Sequence, residues 1–280
     1  MNTAKKDKRF SFEFFPPKTA TGVEKLRDVR IKLAEKNPAF FSVTYGAGGS
    51  TRDGTKNTVT EIKQAGLSVA PHLSYGGDDT EALLELIAYY KSIGIDRIVA
   101  LRGDIPSGTG STRLIHANQL VEFIREHTGE HFHLEVAAYP EIHPQSKSYA
   151  SDLHFFKQKI NAGANSAITQ YFYNPDAYFY YLDSARDHGI NVPIYPGIMP
   201  ITNYVNLARF SDACGAEIPR WIRKKLETYK DDMDSISAFG TELVTGMCET
   251  LLAGGAPGLH FYTMNQAEPT LALWENLGLD

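Results

Sequence analysis

The chain of 280 residues is 42% hydrophobic and 22% charged, with a net charge of -5, a balance that suits a globular protein with a sizeable core. The acidic balance argues against a general nucleic-acid binder, which needs a basic surface. Two distant cysteines, Cys214 and Cys248, give neither a disulfide framework nor a metal knuckle. With no apolar run long enough to span a bilayer and a polar segment at 1–9, a cytoplasmic protein without membrane or nucleic-acid partners is expected.

The first element is Phe10-Ser11-Phe12-Glu13-Phe14, whose alternation predicts a strand with aromatics on one face and Ser11 and Glu13 on the other. Pro16 cannot donate to a ladder and restricts Phe15, so the strand stops there, leaving Glu13 near its carboxyl end. An acid in such a run is costly to bury ionised unless a partner or a function holds it.

Further strands are predicted at 40–46, 68–73, 97–103, 132–139, 167–173, 193–199 and 259–263. Between them lie helical stretches at 19–36, 55–65, 80–93, 114–126, 148–162, 175–188 and 204–213, with longer helical material over 219–252 and a last helix at 268–277. Eight strands alternating with helices require a parallel sheet. That count favours an α/β fold consisting of a single (β/α)8 TIM barrel over residues 1–280, with an extra helix before the last strand. An open eight-stranded sheet is the alternative.

In a barrel, catalytic groups gather where strands end. Those ends carry Glu13, Thr44, His72, Arg102 with Asp104, Tyr139 with His143, Gln170, Thr202 with Asn203, and Tyr262 with Asn265. Gly46 to Thr51 resembles a phosphate loop only loosely, because it lacks both the lysine and the dinucleotide spacing. His131, His133 and Glu135 put possible metal ligands on one strand face, but at its amino end, where solvated histidines are the simpler account. A metal-dependent barrel hydrolase built from these groups is a competing reading, as is a binding protein without turnover.

Taken in order, Ser11-Phe12-Glu13-Phe14-Phe15-Pro16-Pro17, Val43-Thr44-Tyr45-Gly46-Ala47, Ala70-Pro71-His72-Leu73 and Ala100-Leu101-Arg102-Gly103-Asp104 form a series. It continues with Ala137-Ala138-Tyr139-Pro140-Glu141-Ile142-His143-Pro144, Ala167-Ile168-Thr169-Gln170, Pro196-Gly197-Ile198-Met199-Pro200 and His260-Phe261-Tyr262-Thr263. In this series the chain closely resembles the bacterial methylenetetrahydrofolate reductases over nearly its whole length. The resemblance implies a barrel that holds FAD without a Rossmann fingerprint, NADH or NADPH as electron donor, a folate substrate and a homo-oligomer.

Matched position by position, the resemblance makes Glu13 the general acid and Asp104 an acid near both flavin and pterin. It places Thr44, His72, Arg102, Gly103, Tyr139, His143, Asp152 and Lys159 at flavin contacts, and Gln170, Asn206, Phe210 and Gln266 at substrate contacts. Two of these depart from the family pattern: Gln266 stands where the better-known members have arginine, and Asn206 replaces glutamine. Losing the arginine removes a charge that could meet the folate carboxylates. The chain also ends after the eighth helix, so the regulatory domain of eukaryotic members and inhibition by S-adenosylmethionine are not expected. For the acid role, an apolar setting around Glu13 is expected to raise its pKa and keep it protonated near neutral pH.

Overall fold

The computed structural model describes residues 8–45, 49–75, 80–102 and 116–279. Strand β1 (Arg9–Phe14) follows the predicted alternation. Phe12 and Phe14 are fully buried against the surrounding helices and strands, where Phe12 meets Phe41, Phe261 and Trp274. Each such burial contributes about 1.5–3 kcal/mol. Ser11 and Glu13 turn to the barrel interior, where both neighbour His260.

Helix α1 (Ala20–Ala34) is capped by Thr19, whose hydroxyl accepts from Gly22 N–H. There follow β2 (Phe40–Val43), α2 (Gly49–Gln64), β3 (Val69–Ser74), α3 (Thr80–Ser92), β4 (Arg97–Leu101) and α4 (Ala117–Thr128). The next units are β5 (His133–Ala138), α5 (Tyr149–Asn161), β6 (Ser166–Thr169) and α6 (Pro175–Asp187). Ser148 caps α5, and Asn174 caps α6 with Pro175 at its first position. Helix α2 begins earlier than its predicted start at 55, and β6 ends at Thr169, so Gln170 to Tyr173 leave the sheet.

The predicted seventh strand is divided into β7 (Ile194–Tyr195) and β8 (Gly197–Ile198) at Pro196. β7 pairs with β6 and β8 with β9 (Gly258–Tyr262), every pairing being parallel, so one interrupted stave closes the ring. Pro196 has no N–H to donate, yet its carbonyl accepts from His260 N–H at 3.0 Å.

Three helices separate β8 from β9: α7 (Tyr204–Cys214), α8 (Arg220–Tyr229) and α9 (Met233–Ala253). The long helical stretch thus breaks in two near Lys230, which adopts φ 51°. Helix α7 starts behind the seventh stave and reaches the ends of β5 and β6. Ser211 Oγ lies 3.1 Å from the Tyr171 hydroxyl, and Glu217 N–H donates to Glu141 at 2.8 Å. Its carboxyl end therefore packs on the loops that follow β5 and β6, and α10 (Glu268–Asn276) completes the ring against α9.

The barrel interior is small and partly polar. Phe40, Ala70, Val99 and Ile168 form its apolar part, with Tyr195 and Tyr262 against them. At the amino end, Glu135 is fully buried and paired with Arg97, while Ser166 donates to its other oxygen at 2.6 Å and accepts from His133 at 2.6 Å. His131 reaches the Ile95 carbonyl at 3.1 Å. His133 is thus engaged in the fold while His131 stays exposed, as the sequence predicts, and no cluster able to hold a metal ion occurs among the described residues.

Candidate active site

At the opposite end, the parallel register sets Glu13 beside Tyr262 and Ser11 beside His260. His260 is fully buried; its Nδ1 lies 2.7 Å from Ser11 Oγ and its Nε2 3.4 Å from Glu13 Oε2. When Ser11 donates to Nδ1, the Nε2–H of His260 faces the carboxylate. His72, from β3, brings its own Nε2 to 3.3 Å from the same oxygen.

Burial is the largest influence on Glu13 and by itself raises the pKa, but the charge of His72 and the hydrogen bonds from both imidazoles outweigh it and hold the carboxyl at about 2. This corrects the expectation of a carboxyl kept neutral by an apolar setting: the wall around Glu13 is imidazole. Two histidines from strands remote in sequence supply the partners that a one-strand reading cannot see.

The loop after β9 fixes the backbone around the acid. Thr263 Oγ donates to the Glu13 carbonyl at 2.6 Å, and Asn265 clamps Phe15 by accepting from its N–H at 3.0 Å and donating to its carbonyl at 2.8 Å. Tyr262 crosses the barrel to donate to the Thr169 carbonyl at 2.7 Å. A Cβ on Gly197 would sit 2.5 Å from that ring and 2.2 Å from that carbonyl, so only glycine fits there.

Beside this cluster, a cavity of about 610 Å³ opens between the ends of β3, β4 and β5 and helices α4 and α5. Its walls include Tyr45, Ser74, Arg102, His116, Tyr139, His143, Phe155 and Lys159. The Lys159 ammonium donates to the Ala137 carbonyl, and burial pushes its pKa down to about 8 against the favourable charge of Asp152. Tyr139 and His143 meet edge to face at 4.5 Å. Asp152 acts on the loop: its carboxylate accepts from His143 N–H at 3.2 Å and from Ser146 Oγ at 2.9 Å. A desolvated ammonium and a guanidinium among aromatic and polar walls suit a pyrophosphate joined to flat rings. A second depression of about 840 Å³ lies outside, along α9, and collects Asp234, Glu242 and Glu249, which would repel an anionic ligand.

The other sequence-derived positions divide by location. Thr44 follows β2 directly, its N–H donating to the Phe14 carbonyl at 2.9 Å. Gln170 follows β6 directly, its N–H donating to the Ala138 carbonyl at 2.8 Å. Phe210 is half-buried on α7 with the Arg209 guanidinium 5.1 Å from its ring centre. Asn206 and Gln266 are exposed, on the first turn of α7 and in the loop beyond β9. Gly103 and Asp104 lie outside the described residues. Sequence reasoning places Thr263 and Asn265 at a strand end but misses Ser11 and His260 as site residues; the alternation of His260 and Tyr262 with Ser11 and Glu13 is the available signal.

Comparison with known proteins decides the family. The family model described as methylenetetrahydrofolate reductase matches residues 1–278. The chain belongs to the methylenetetrahydrofolate reductase family. It is 38% identical over 270 residues to the 5,10-methylenetetrahydrofolate reductase of Escherichia coli (strain K12), covering 96% of this chain and 90% of that protein. It is also 38% identical to methylenetetrahydrofolate reductase (NADH) 1 of Arabidopsis thaliana, covering 96% of this chain and 48% of that longer protein. Among solved structures, an uncharacterized protein from Clostridium thermocellum that binds two copies of 5-methyl-5,6,7,8-tetrahydrofolic acid superposes with a TM-score of 0.66 at 17% identity. That match covers 98% of this chain and 94% of that one, and supports the barrel fold. The family's reaction is the reduction of methylenetetrahydrofolate. Among the described residues no helix is long and apolar enough to cross a membrane.

Proposed function

We propose that this methylenetetrahydrofolate reductase is an FAD enzyme that takes electrons from NADH or NADPH and converts 5,10-methylenetetrahydrofolate to 5-methyltetrahydrofolate. The observation that carries this reading is the placement of the Glu13–His72–His260 cluster at the mouth, beside a cavity walled by Lys159 and Arg102. FAD, when bound, supplies the hydride chemistry. Lys159 and Arg102 would meet its pyrophosphate, with Thr44, His72, Gly103, Asp104, Tyr139 and His143 completing its contacts and Asp152 holding the His143 loop. The folate would contact Gln170, Asn206, Phe210 and Gln266. Donor and folate take turns at one mouth, which gives ping-pong kinetics.

Opening the folate's five-membered ring requires a proton on the departing nitrogen. Glu13 is the acid that delivers it. A ligand that fills the mouth removes water, which disfavours the Glu13 carboxylate and favours the neutral carboxyl. Asp104 serves as a fixed negative charge that opposes build-up of anion on its neighbours and steadies a cationic folate.

An absorption spectrum tests the reading. The purified protein should show flavin bands that bleach under anaerobic NADH and return when methylenetetrahydrofolate is added. A protein that is colourless, takes up no FAD and oxidises no NADH would overturn it.

A further inference from the structure

We propose that Phe155 is the stacking face for the adenine of FAD, and that it makes the large cavity select a dinucleotide flavin over FMN. The inference rests on the proposed FAD site and adds to it a wall that the sequence pattern does not mark.

The register of α5 sets this ring in place. Leu153 and Phe156 are buried in the core and fix the inner face of the helix. Ser151, Phe155 and Lys159 recur at helical spacing and form a neighbouring stripe, and all three line the cavity of about 610 Å³. Along that stripe the Lys159 ammonium is held at the end of β5 by the Ala137 carbonyl, while Phe155 stands one turn nearer the amino end of α5. Phe155 is 51% exposed, and of the large apolar side chains exposed among the described residues it is the one that lines this cavity. An aromatic ring left open on a cavity wall forgoes burial that a flat ligand can supply.

The order of groups through the cavity decides which flat ring meets Phe155. Ser74 continues the inward face of His72 on β3, so the inner end of the cavity, at the strand ends, adjoins the Glu13 cluster. Reduction of a folate at that cluster requires the isoalloxazine at this inner end. The pyrophosphate then meets Lys159 and Arg102, and the adenosine continues outward into the cleft between α4 and α5. Phe155 is a wall of that cleft, and His116 and Asn118 at the start of α4 line it too. Stacking of a base on an aromatic side chain needs only an open π-face, which Phe155 presents. FMN has no adenine and leaves the ring uncovered.

The test measures dissociation constants of FAD, FMN and ADP for the flavin-free full-length chain, by flavin fluorescence for the first two and by calorimetry for ADP. Phe155→Ala should weaken FAD and ADP by about tenfold, within the span of one base stacked on an aromatic ring, and leave FMN binding unchanged. Phe155→Tyr, which keeps the ring, should bind all three as wild type does. Equal weakening of FAD and FMN in Phe155→Ala means that the side chain only shapes the cavity, and overturns the proposal. Unchanged FAD and ADP binding in that variant overturns it as well. A wild type that binds ADP, with the loss in Phe155→Ala, but takes up neither flavin overturns the FAD reading and leaves the adenine face standing. A wild type that binds none of the three overturns both.

Discussion

The barrel carries a carboxylate with histidine at each end, and the two are built differently. At the amino end Glu135 has no exposed surface, a guanidinium partner in Arg97 and a hydroxyl donor in Ser166. At the carboxyl end Glu13 keeps 18% of its side chain exposed and meets two imidazoles at 3.3 and 3.4 Å. In both, burial raises the pKa and the partners outweigh it. Arg97 cannot give up its proton and the imidazoles can. A closed, fully paired carboxylate is part of the scaffold, whereas one on titratable partners that opens to a mouth is equipped for proton transfer.

The largest separation between the ends should appear in turnover. Glu13→Gln is expected to lower folate reduction by about 10²–10⁴-fold, the span of acid catalysis, while FAD content and flavin reduction by NADH persist in stopped-flow traces. Normal folate turnover in that variant removes Glu13 from the acid role.

Next is stability. Glu135→Ala leaves Arg97 in place without its partner and should cost about 3–5 kcal/mol in urea unfolding. Glu13→Gln should cost less, because the amide keeps a hydrogen-bonding group beside His72 and His260. Equal losses would erase the distinction between the ends.

A smaller effect concerns the cavity. Lys159→Met should weaken FAD retention by roughly 10–100-fold, the loss of one charge-assisted contact of about 1.5–3 kcal/mol, read by flavin fluorescence on dilution. Unchanged retention would place the pyrophosphate elsewhere.

The last prediction is a pH trend. Because the folded pKa of Glu13 is depressed to about 2, its contribution to stability is present above the ordinary carboxyl range and is lost as pH falls toward that value. The stability gap between wild type and Glu13→Gln should therefore narrow from about pH 5 downward in urea titrations. A gap that stays constant would mean the carboxyl titrates normally.

Much of this architecture is readable in the linear chain. Period-two alternation in β1 fixed which side chains face inward, and the strand–helix cycle required a parallel sheet. The strand ends named Glu13, His72, Tyr139, His143 and Gln170 because a barrel places its site there. The division of the seventh stave was harder to read: a proline inside an apolar run marks a missing donor, but the two pairings across the closure depend on distant strands.

Local periodicity and the missing N–H of proline act over a few residues, so the sequence alone determined the barrel, the inward face of β1 and the rim on which Glu13 stands. The ionisation of Glu13, the burial of Lys159 and the packing of the α7 carboxyl end on the loops after β5 and β6 were decided only in three dimensions. Each depends on groups far apart in the chain: His260 reaches Glu13 across 247 positions, Lys159 reaches the Ala137 carbonyl across 22, and Glu217 reaches Glu141 across 76. Electrostatic and packing energies follow spatial distance, which exists only once the ring has closed.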